Sequence, residues 1–381
     1  MKRTSLRVVH TEASVGWGGQ EIRILEETQG MIAQGHEVEI WAVAGSGILA
    51  EAERRAIPYQ ALSIGRKSLR GVLAMRRALT SVRPDVVNAP SSTDAWLVAL
   101  ALLTLGEGPP LVRTRHVSSP VPDNFPTRWL YQRATRHIVT TGERLRETLM
   151  RENRFREDRI TSVPTGIDPS RFRPGDKAEA RRTLGLDPRG RYVGIVATLR
   201  SWKGHLYLIE AFARVAAADA AVRLLIVGEG PMRPLLEQKI AELDLAPKVM
   251  LAGRRDAVEP WFRAMDVFCL PSYANEGVPQ AIVQAMLSGL PVVTTPVGSI
   301  AEAVTDQETA LVVAPKDASA LAAAIRRLLD DPALAGRLGR EARAQAERKF
   351  GRDAMIARME AVFRRVVDAC PLRRKGTDAT L

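Results

Sequence analysis

The chain has 381 residues, 46% apolar and 26% charged, with a formal net charge of +12. That length exceeds what one hydrophobic core covers, so two or three domains are expected, and the apolar content excludes disorder over the whole chain. The positive surplus favours an acidic partner: nucleic acid, an anionic membrane face or a phosphate-bearing substrate. Because the arginines are scattered without interleaved aromatics, a nucleic-acid groove is the weaker choice.

Strands are expected over 6–10, 38–43, 59–62, 84–88, 111–114 and 137–141, with helices over 20–34, 48–55, 69–82, 95–105 and 127–136 between them. The apolar run 95–105 is far short of the ~20 residues that span a bilayer, and reads as a buried helix. A turn-rich segment over 164–189 follows, P-T-G-I-D-P-S-R-F-R-P-G-D and beyond, and reads as an interdomain connection. Alternation then restarts, with strands over 192–197, 222–227, 249–251, 267–270 and 292–295. Helices are expected over 205–217, 232–243, 258–264, 279–288, 318–329, 332–350 and 354–369. This rhythm means right-handed βαβ units, so the fold class is α/β with two doubly wound, Rossmann-like domains. The expected division is 1–168, a linker at 169–189, 190–352, and a final helix in 353–381 that packs back towards the first domain and precedes a basic tail.

Two cysteines, Cys269 and Cys370, make no disulfide framework and suit a reducing compartment. The five histidines form no metal-ligand cluster. M-K-R-T-S-L-R-V-V-H has no apolar run behind its basic residues, so a cytoplasmic chain is expected rather than a secreted one.

The chemistry concentrates at strand-to-loop junctions. In P-S-Y-A-N-E-G-V-P-Q-A-I-V-Q, residues 271–284, Glu276 sits beside a helix start at Pro279, and a helix start beside a polar loop is an anion site. In A-T-L-R-S-W-K-G, residues 197–204, Arg200 and Lys203 put two cations at the mouth of a strand, a fork and a point charge suited to a diphosphate. In G-W-G-G-Q-E, residues 16–21, glycines let backbone approach a ligand at a helix start, although a glycine turn alone is more often only a tight turn. Gln280, Gln284 and Ser288 recur at i, i+4 and i+8, the pattern of a solvated helix face.

Together these stretches resemble the retaining glycosyltransferases of family four, which share the two-domain GT-B fold, its Rossmann-like domains facing across a cleft. Two glutamates seven residues apart mark that family; Glu276 meets the first and Gln284 replaces the second. The resemblance implies that Glu276 contacts the donor sugar, that Gln284 meets the nucleotide ribose, and that the turn Gly277-Val278-Pro279 faces the donor. Lys203-Gly204 match the family's K-G, with Thr198 where it has arginine and Arg200 two residues on. Gly18 and Gly19 fall where a Gly-Gly pair touches the diphosphate or the acceptor, and Gly253 and Arg254 where backbone meets the base. His116, in R-T-R-H-V-S-S-P, falls where a histidine often stands near the donor sugar, and V-P-T-G-I-D resembles the interdomain V-P-N-G-V-D.

The implied activity is transfer of a sugar from a nucleotide sugar to a saccharide or lipid-linked acceptor in lipopolysaccharide or exopolysaccharide synthesis. No cofactor or metal is expected, because cations and amides absorb the leaving charge. Asp94 and Asp168 show no evident pairing with Glu276. Basic residues of the first half, Arg66, Lys67, Arg70, Arg76, Arg77, Arg113 and Arg115, suit a phosphorylated lipid or the anionic inner leaflet. Two alternatives stay open: a sugar-nucleotide 2-epimerase, and a non-catalytic paralogue motivated by Gln284 and Thr198.

Overall fold

The computed structural model describes residues 5–116, 121–274 and 276–370. The basic tail from Arg373 and part of the R-T-R-H-V-S-S-P motif lie outside them. The chain divides into two compact units, one formed by the chain up to Gly166 together with the segment from Arg352, the other by Ile167–Gly351.

In the first unit β1 (Arg7–Glu12), β2 (Glu37–Val43), β3 (Tyr59–Leu62), β4 (Val86–Asn88), β5 (Leu111–Arg115), β6 (Thr135–Thr140) and β7 (Ile160–Ser162) form one sheet. It is parallel throughout, in the order β3-β2-β1-β4-β5-β6-β7. The crossovers run through α1 (Gly19–Ala33), α2 (Gly47–Arg54), α3 (Leu69–Val82), α4 (Ser92–Leu103), α5 (Phe125–Trp129) with a π-helical turn at Leu130–Ala134, and α6 (Glu143–Asn153). Helices cover both faces of a parallel sheet, so its central strands are apolar on both sides: Val8, Val9, Ile40, Val86, Val87, Val112 and Val139 are all buried.

The second unit opens with α7 (Lys177–Thr183) and then alternates β8 (Arg191–Val196), α8 (His205–Ala218), β9 (Val222–Val227), α9 (Arg233–Glu242), β10 (Val249–Gly253), α10 (Glu259–Ala264) and β11 (Val267–Leu270). It continues through α11 (Gln280–Leu287), β12 (Val292–Thr294), α12 (Ile300–Ala303), β13 (Leu311–Val312), α13 (Ala318–Asp330) and α14 (Pro332–Lys349). Its sheet is again parallel, in the order β10-β9-β8-β11-β12-β13. The chain returns to the first unit as α15 (Arg352–Asp368). In each sheet the strand order reverses beside the first strand, between β1 and β4 and between β8 and β11. Crossovers leave in opposite directions there, which opens a crevice at the carboxyl ends of those strands.

Three expectations change. Residues 169–189 are built into the second unit rather than linking two bodies: Phe172 packs edge-on against Phe262, and Arg181 donates to the Ala264 carbonyl at 2.9 Å and to Asp266 at 2.7 Å. The helix expected over 127–136 stops early, because buried Thr135 already begins β6. The pair α6 and β7 went unread, since E-R-L-R-E-T-L-M-R-E-N is mostly charged and buries only Leu145, Leu149 and Asn153.

α15 docks through Met355, Ile356, Met359, Val362 and Phe363 onto Val8, Val38, Val86 and Val139. Gly30 of α1 lets it approach: a Cβ there would stand 1.9 Å from Ile356. Beneath α15 lies a buried polar group. Arg23 donates to the Val163 carbonyl at 2.7 Å and to Thr165 Oγ1 at 3.2 Å, and its Nε stands 3.6 Å from Glu27. His10 Nε2 is 3.7 Å from Glu27, and its ring meets Phe363 edge-on. Burial, and then the Arg23 charge, lower His10 from 6.5 to about 3, while burial lifts Glu27 to about 7 against the pull of Arg23.

Phe363→Ala should cost the first unit about 3–5 kcal/mol in denaturant unfolding, the scale for emptying a buried aromatic site. Neutral His10 contributes stability that is complete above its unfolded value of 6.5 and is lost as pH falls from there towards 3. From pH 7 to pH 5 the wild type should therefore lose about 2 kcal/mol more than His10→Gln, a comparison that cancels the opposing titration of Glu27.

Candidate active site

In the second unit, the loops that follow β8 and β11 flank the strand-order reversal and are tied to one another. Gly204 has φ +78°, and a Cβ on it would come 2.0 Å from the Pro271 carbonyl oxygen, so only glycine permits this approach. The Tyr273 N–H donates to the Trp202 carbonyl at 2.8 Å. This seating brings Lys203 Nζ to 2.7 and 2.9 Å from the two carboxylate oxygens of Glu276. Ser272 Oγ donates to Glu276 Oε1 at 2.6 Å, and the Ser299 N–H reaches the Glu276 carbonyl at 3.2 Å. Gly298, at φ +60°, lets that backbone close in, for a Cβ there would stand 2.0 Å from the same carbonyl. Glu276 is only 4% exposed, so Lys203 and these donors take the place of water around its carboxylate.

Arg200, expected beside Lys203, is exposed, lies 5.9 Å from the Trp202 ring and takes no part in the Lys203 pair. Gly277, Val278 and Pro279 are buried. Pro279 caps α11 in an extended conformation, with ψ 125°, instead of opening its first turn, and the ladder begins with the Ile282 N–H on the Pro279 carbonyl. The solvated face read from 280, 284 and 288 is corrected: Gln284 and Ser288 are buried, since α11 lies between the sheet and its neighbours. Gly253, at φ +70°, ends β10 two strands from β8, and Arg254 there is half exposed.

The first unit's reversal has the opposite character. Gly18 caps α1 in extended backbone, and a Cβ on it would meet nothing nearer than the Glu21 carboxylate at 3.7 Å. Gly19 begins the helix. Around them Glu12, at the end of β1, accepts from the Ser14 N–H at 2.7 Å, from Ser91 Oγ at 2.9 Å and from Gln20. Asp94, in the first turn of α4, accepts from Thr11 Oγ1 at 2.9 Å. Burial raises Glu12, Glu21 and Asp94 above the usual carboxylate range; Glu12 adds repulsion on Asp94, and Glu21 on Glu12. Among the described residues none of the three has a cation within ion-pair distance. A diphosphate gains nothing from such surroundings, whereas a hydroxyl donor does. Glu12 escaped the sequence reading, although a glutamate closing a strand before a glycine loop was its signal, and it is the charged neighbour of Asp94.

His116 directly follows β5 and is half-buried, with Nε2 shut off from solvent and without a partner among the described residues. Burial, then the Arg23 charge, hold it well below the ordinary histidine range, so it stays neutral. Of the seven basic residues expected to face an anion, Arg66, Lys67, Arg70, Arg76 and Arg77 are exposed. Arg113 and Arg115 turn inward: Arg113 is 3% exposed with its guanidinium 4.4 Å from the Tyr131 ring centroid, and Arg115 donates to Tyr131 Oη at 3.1 Å. Among the described residues no group of three acidic, histidine or cysteine side chains is placed to hold a metal, and no helix is long and apolar enough to cross a membrane.

Comparison with known proteins gives the same two halves. Residues 17–171 match the family described as Glycosyltransferase Family 4, and residues 190–331 match Glycosyl transferases group 1. The chain is 29% identical to a D-inositol 3-phosphate glycosyltransferase of Rhodococcus opacus, over 91% of this chain and 86% of that one. It is 32% identical to the lipopolysaccharide core biosynthesis mannosyltransferase LpsB of Rhizobium meliloti, over 45% of this chain and 51% of the other. Its fold is similar to that of Anabaena Alr3699/HepE in complex with UDP and glucose, with a TM-score of 0.83 at 21% identity over 94% and 99% of the two chains. With both halves matched in order and each carrying its own parallel Rossmann-like sheet, the chain belongs to the family 4, group 1 glycosyltransferases of GT-B fold.

Proposed function

We propose that this glycosyltransferase moves a sugar from a nucleoside-diphosphate sugar to a saccharide or lipid-linked acceptor of the cell envelope, with retention and without a metal. The observation that carries the reading is the Lys203–Glu276 pair at the strand-order reversal of the second unit. A donor diphosphate competes with Glu276 for Lys203. When Lys203 takes the phosphate, the carboxylate is left to accept hydroxyl protons of the sugar, held in place by Ser272. Exposed Arg200 is free to swing onto the same phosphates, the start of α11 at Gly277–Pro279 adds its dipole, and Gln284 replaces a charge with an amide that both donates and accepts to a ribose. Gly253 and Arg254 stand where the base would lie.

Double displacement on a glycoside needs two carboxyl groups about 5 Å apart. Glu276 has a lysine and a serine as its side-chain partners instead, so the reading is a same-face departure of the nucleotide diphosphate through an oxocarbenium-like state. Lys203 and peptide amides absorb the released charge. The acid-lined mouth of the first unit, Glu12 and Asp94 with Gly18 and Gly19 at the start of α1, suits acceptor hydroxyls, and neutral His116 offers a hydrogen bond without a charge. An envelope acceptor is supported by LpsB, whose name refers to lipopolysaccharide core synthesis. A phosphorylated polyol, as in the name of the Rhodococcus relative, would have to keep its phosphate clear of those carboxylates.

The test is incubation with UDP-, GDP- and ADP-sugars, with and without saccharide acceptors, reading donor consumption and the anomeric configuration of the product. Lys203→Ala should lower kcat by about 100- to 1000-fold, corresponding to ~2.7–4 kcal/mol, with EDTA leaving the wild-type rate unchanged. Near wild-type turnover by that variant would sink the assignment. Epimer formed from UDP-N-acetylglucosamine alone would indicate a 2-epimerase, and no donor consumption in any mixture a binding protein.

A peripheral membrane contact is part of the same reading. Leu69 and Leu73 of α3 are 74% and 44% exposed, among Arg66, Lys67, Arg70, Arg76 and Arg77. Vesicles containing anionic lipid should bind the protein at low salt and release it as salt rises, because the attraction falls off within a Debye length. Equal affinity for neutral vesicles, or none for anionic ones, would remove this contact.

A further inference from the structure

In the second unit Glu229 follows β9 between two glycines, and the loops after β8 and β10 close on it from either side. A Cβ on Gly228, whose φ is +146°, would stand 1.9 Å from the Ala197 carbonyl oxygen, and one on Gly230 would stand 2.7 Å from that of Leu199. The Leu199 N–H donates to the Glu229 carbonyl at 3.0 Å, the Met232 N–H to the Leu199 carbonyl at 3.1 Å, and the Gly228 N–H to the Gly253 carbonyl at 2.9 Å. Glycines allow approaches that a side chain would block, so the backbone of Glu229 is braced against the ends of both neighbouring strands.

That brace carries the carboxylate over the end of β10. A Cβ on Gly253 would meet Glu229 Oε2 at 3.7 Å and Arg233 Nη1 at 3.9 Å, so the bare α-carbon is bordered by a carboxylate and a guanidinium. The two groups pair at 3.0 Å, and Arg233 Nε is held by Glu237 at 2.8 Å, which fixes the fork from its other side. Both side chains remain partly exposed, and a pair one helical turn apart in such surroundings adds little to stability. Glu229 Oε1 accepts only the Gly230 N–H, at 3.3 Å, and Arg233 Nη2 makes no hydrogen bond among the described residues. Each carboxylate oxygen can accept twice, so spare acceptors and spare donors stand side by side.

With the base at Gly253 and Arg254, as in the function proposed above and on which this step rests, the common bases differ in what they offer such an edge. Guanine presents two adjacent donors, N1–H and N2–H, which a carboxylate takes together, and beside them O6, an acceptor for an arginine. The one donor of uracil, N3–H, stands between two carbonyl oxygens that the carboxylate would repel. Adenine sets its amino group beside the lone pair of N1, which the carboxylate would also repel. We propose that Glu229 and Arg233 read the base of the donor and make this protein specific for a guanosine-diphosphate sugar. Glu229 accepts from N1–H and N2–H, and Arg233 gives its Nη2 hydrogens to O6.

The test is calorimetric titration of the full chain with GDP, IDP, UDP, ADP and inorganic pyrophosphate. GDP should bind at least about 10-fold tighter than UDP or ADP, and about 10-fold tighter than IDP, which differs from it only by lacking the 2-amino group. Glu229→Gln should weaken GDP by about 10- to 100-fold and bring GDP and IDP together, because the amide turns a donor towards one of the two guanine donors. Pyrophosphate should bind that variant as it binds the wild type, which also shows that the variant is folded. If UDP or ADP matches GDP, or if Glu229→Gln weakens every nucleotide alike, the base assignment is wrong while the proposed function stands. If neither pyrophosphate nor any nucleotide binds the wild type, both fall together.

Discussion

A carboxylate buried to 4% exposure and an ammonium held on both of its oxygens form the constraint around which the second unit's loops are arranged. Neither charge is tolerable there alone, since breaking a buried pair leaves one ion without water or partner. The backbone meets that demand by close approach: Gly204 against Pro271, Gly298 against Glu276, and Tyr273 hydrogen-bonded to Trp202. Ser272, itself held through its carbonyl by Thr295, then orients the carboxylate. In the function proposed above, a donor diphosphate would enter by taking Lys203 from Glu276.

The two units repeat one topology and reverse its electrostatics. Both sheets are parallel and both change strand order beside their first strand, so each offers the same crevice at strand ends. In the second unit a lysine and a helix start stand at that place; in the first stand Glu12, Glu21 and Asp94 without an ion-pair cation among the described residues. The strongly positive net charge therefore says little about the first unit's crevice. Of the basic residues read from the sequence as facing an anion, five are exposed on or just before α3, and Arg113 and Arg115 make an aromatic contact inside the fold. A fold that supplies two equivalent positions leaves the side chains to set the charge of each.

The link between the units also has a physical origin in residues that look like turn. Pro164 to Arg189 is rich in proline and glycine, yet Phe172 and Arg181 find an aromatic and a carboxylate in α10 and at the start of β11, and the segment joins that core. On the return, α15 buries six apolar side chains on the first sheet, so the first unit is made of both ends of the described chain.

Alternation of apolar runs and turns was enough to place nearly all the strands, the α/β class and the residues Glu276, Lys203 and Gly204, because period and glycine placement are local properties that survive in one dimension. α6, β7 and the short α12 and β13 were not legible, for they carry too few apolar residues to show a period. What a linear pattern cannot express is which residues meet. Residues 203 and 276 are far apart in sequence and are joined only because β8 and β11 are neighbours; the burial of Gln284, the isolation of Arg200 and the pairing of Glu12 with Asp94 arise in the same way, from strand order. Local chemistry thus determined what each loop contains, and the topology of two parallel sheets decided which charges face one another, since electrostatic compensation depends on distance in space and not along the chain.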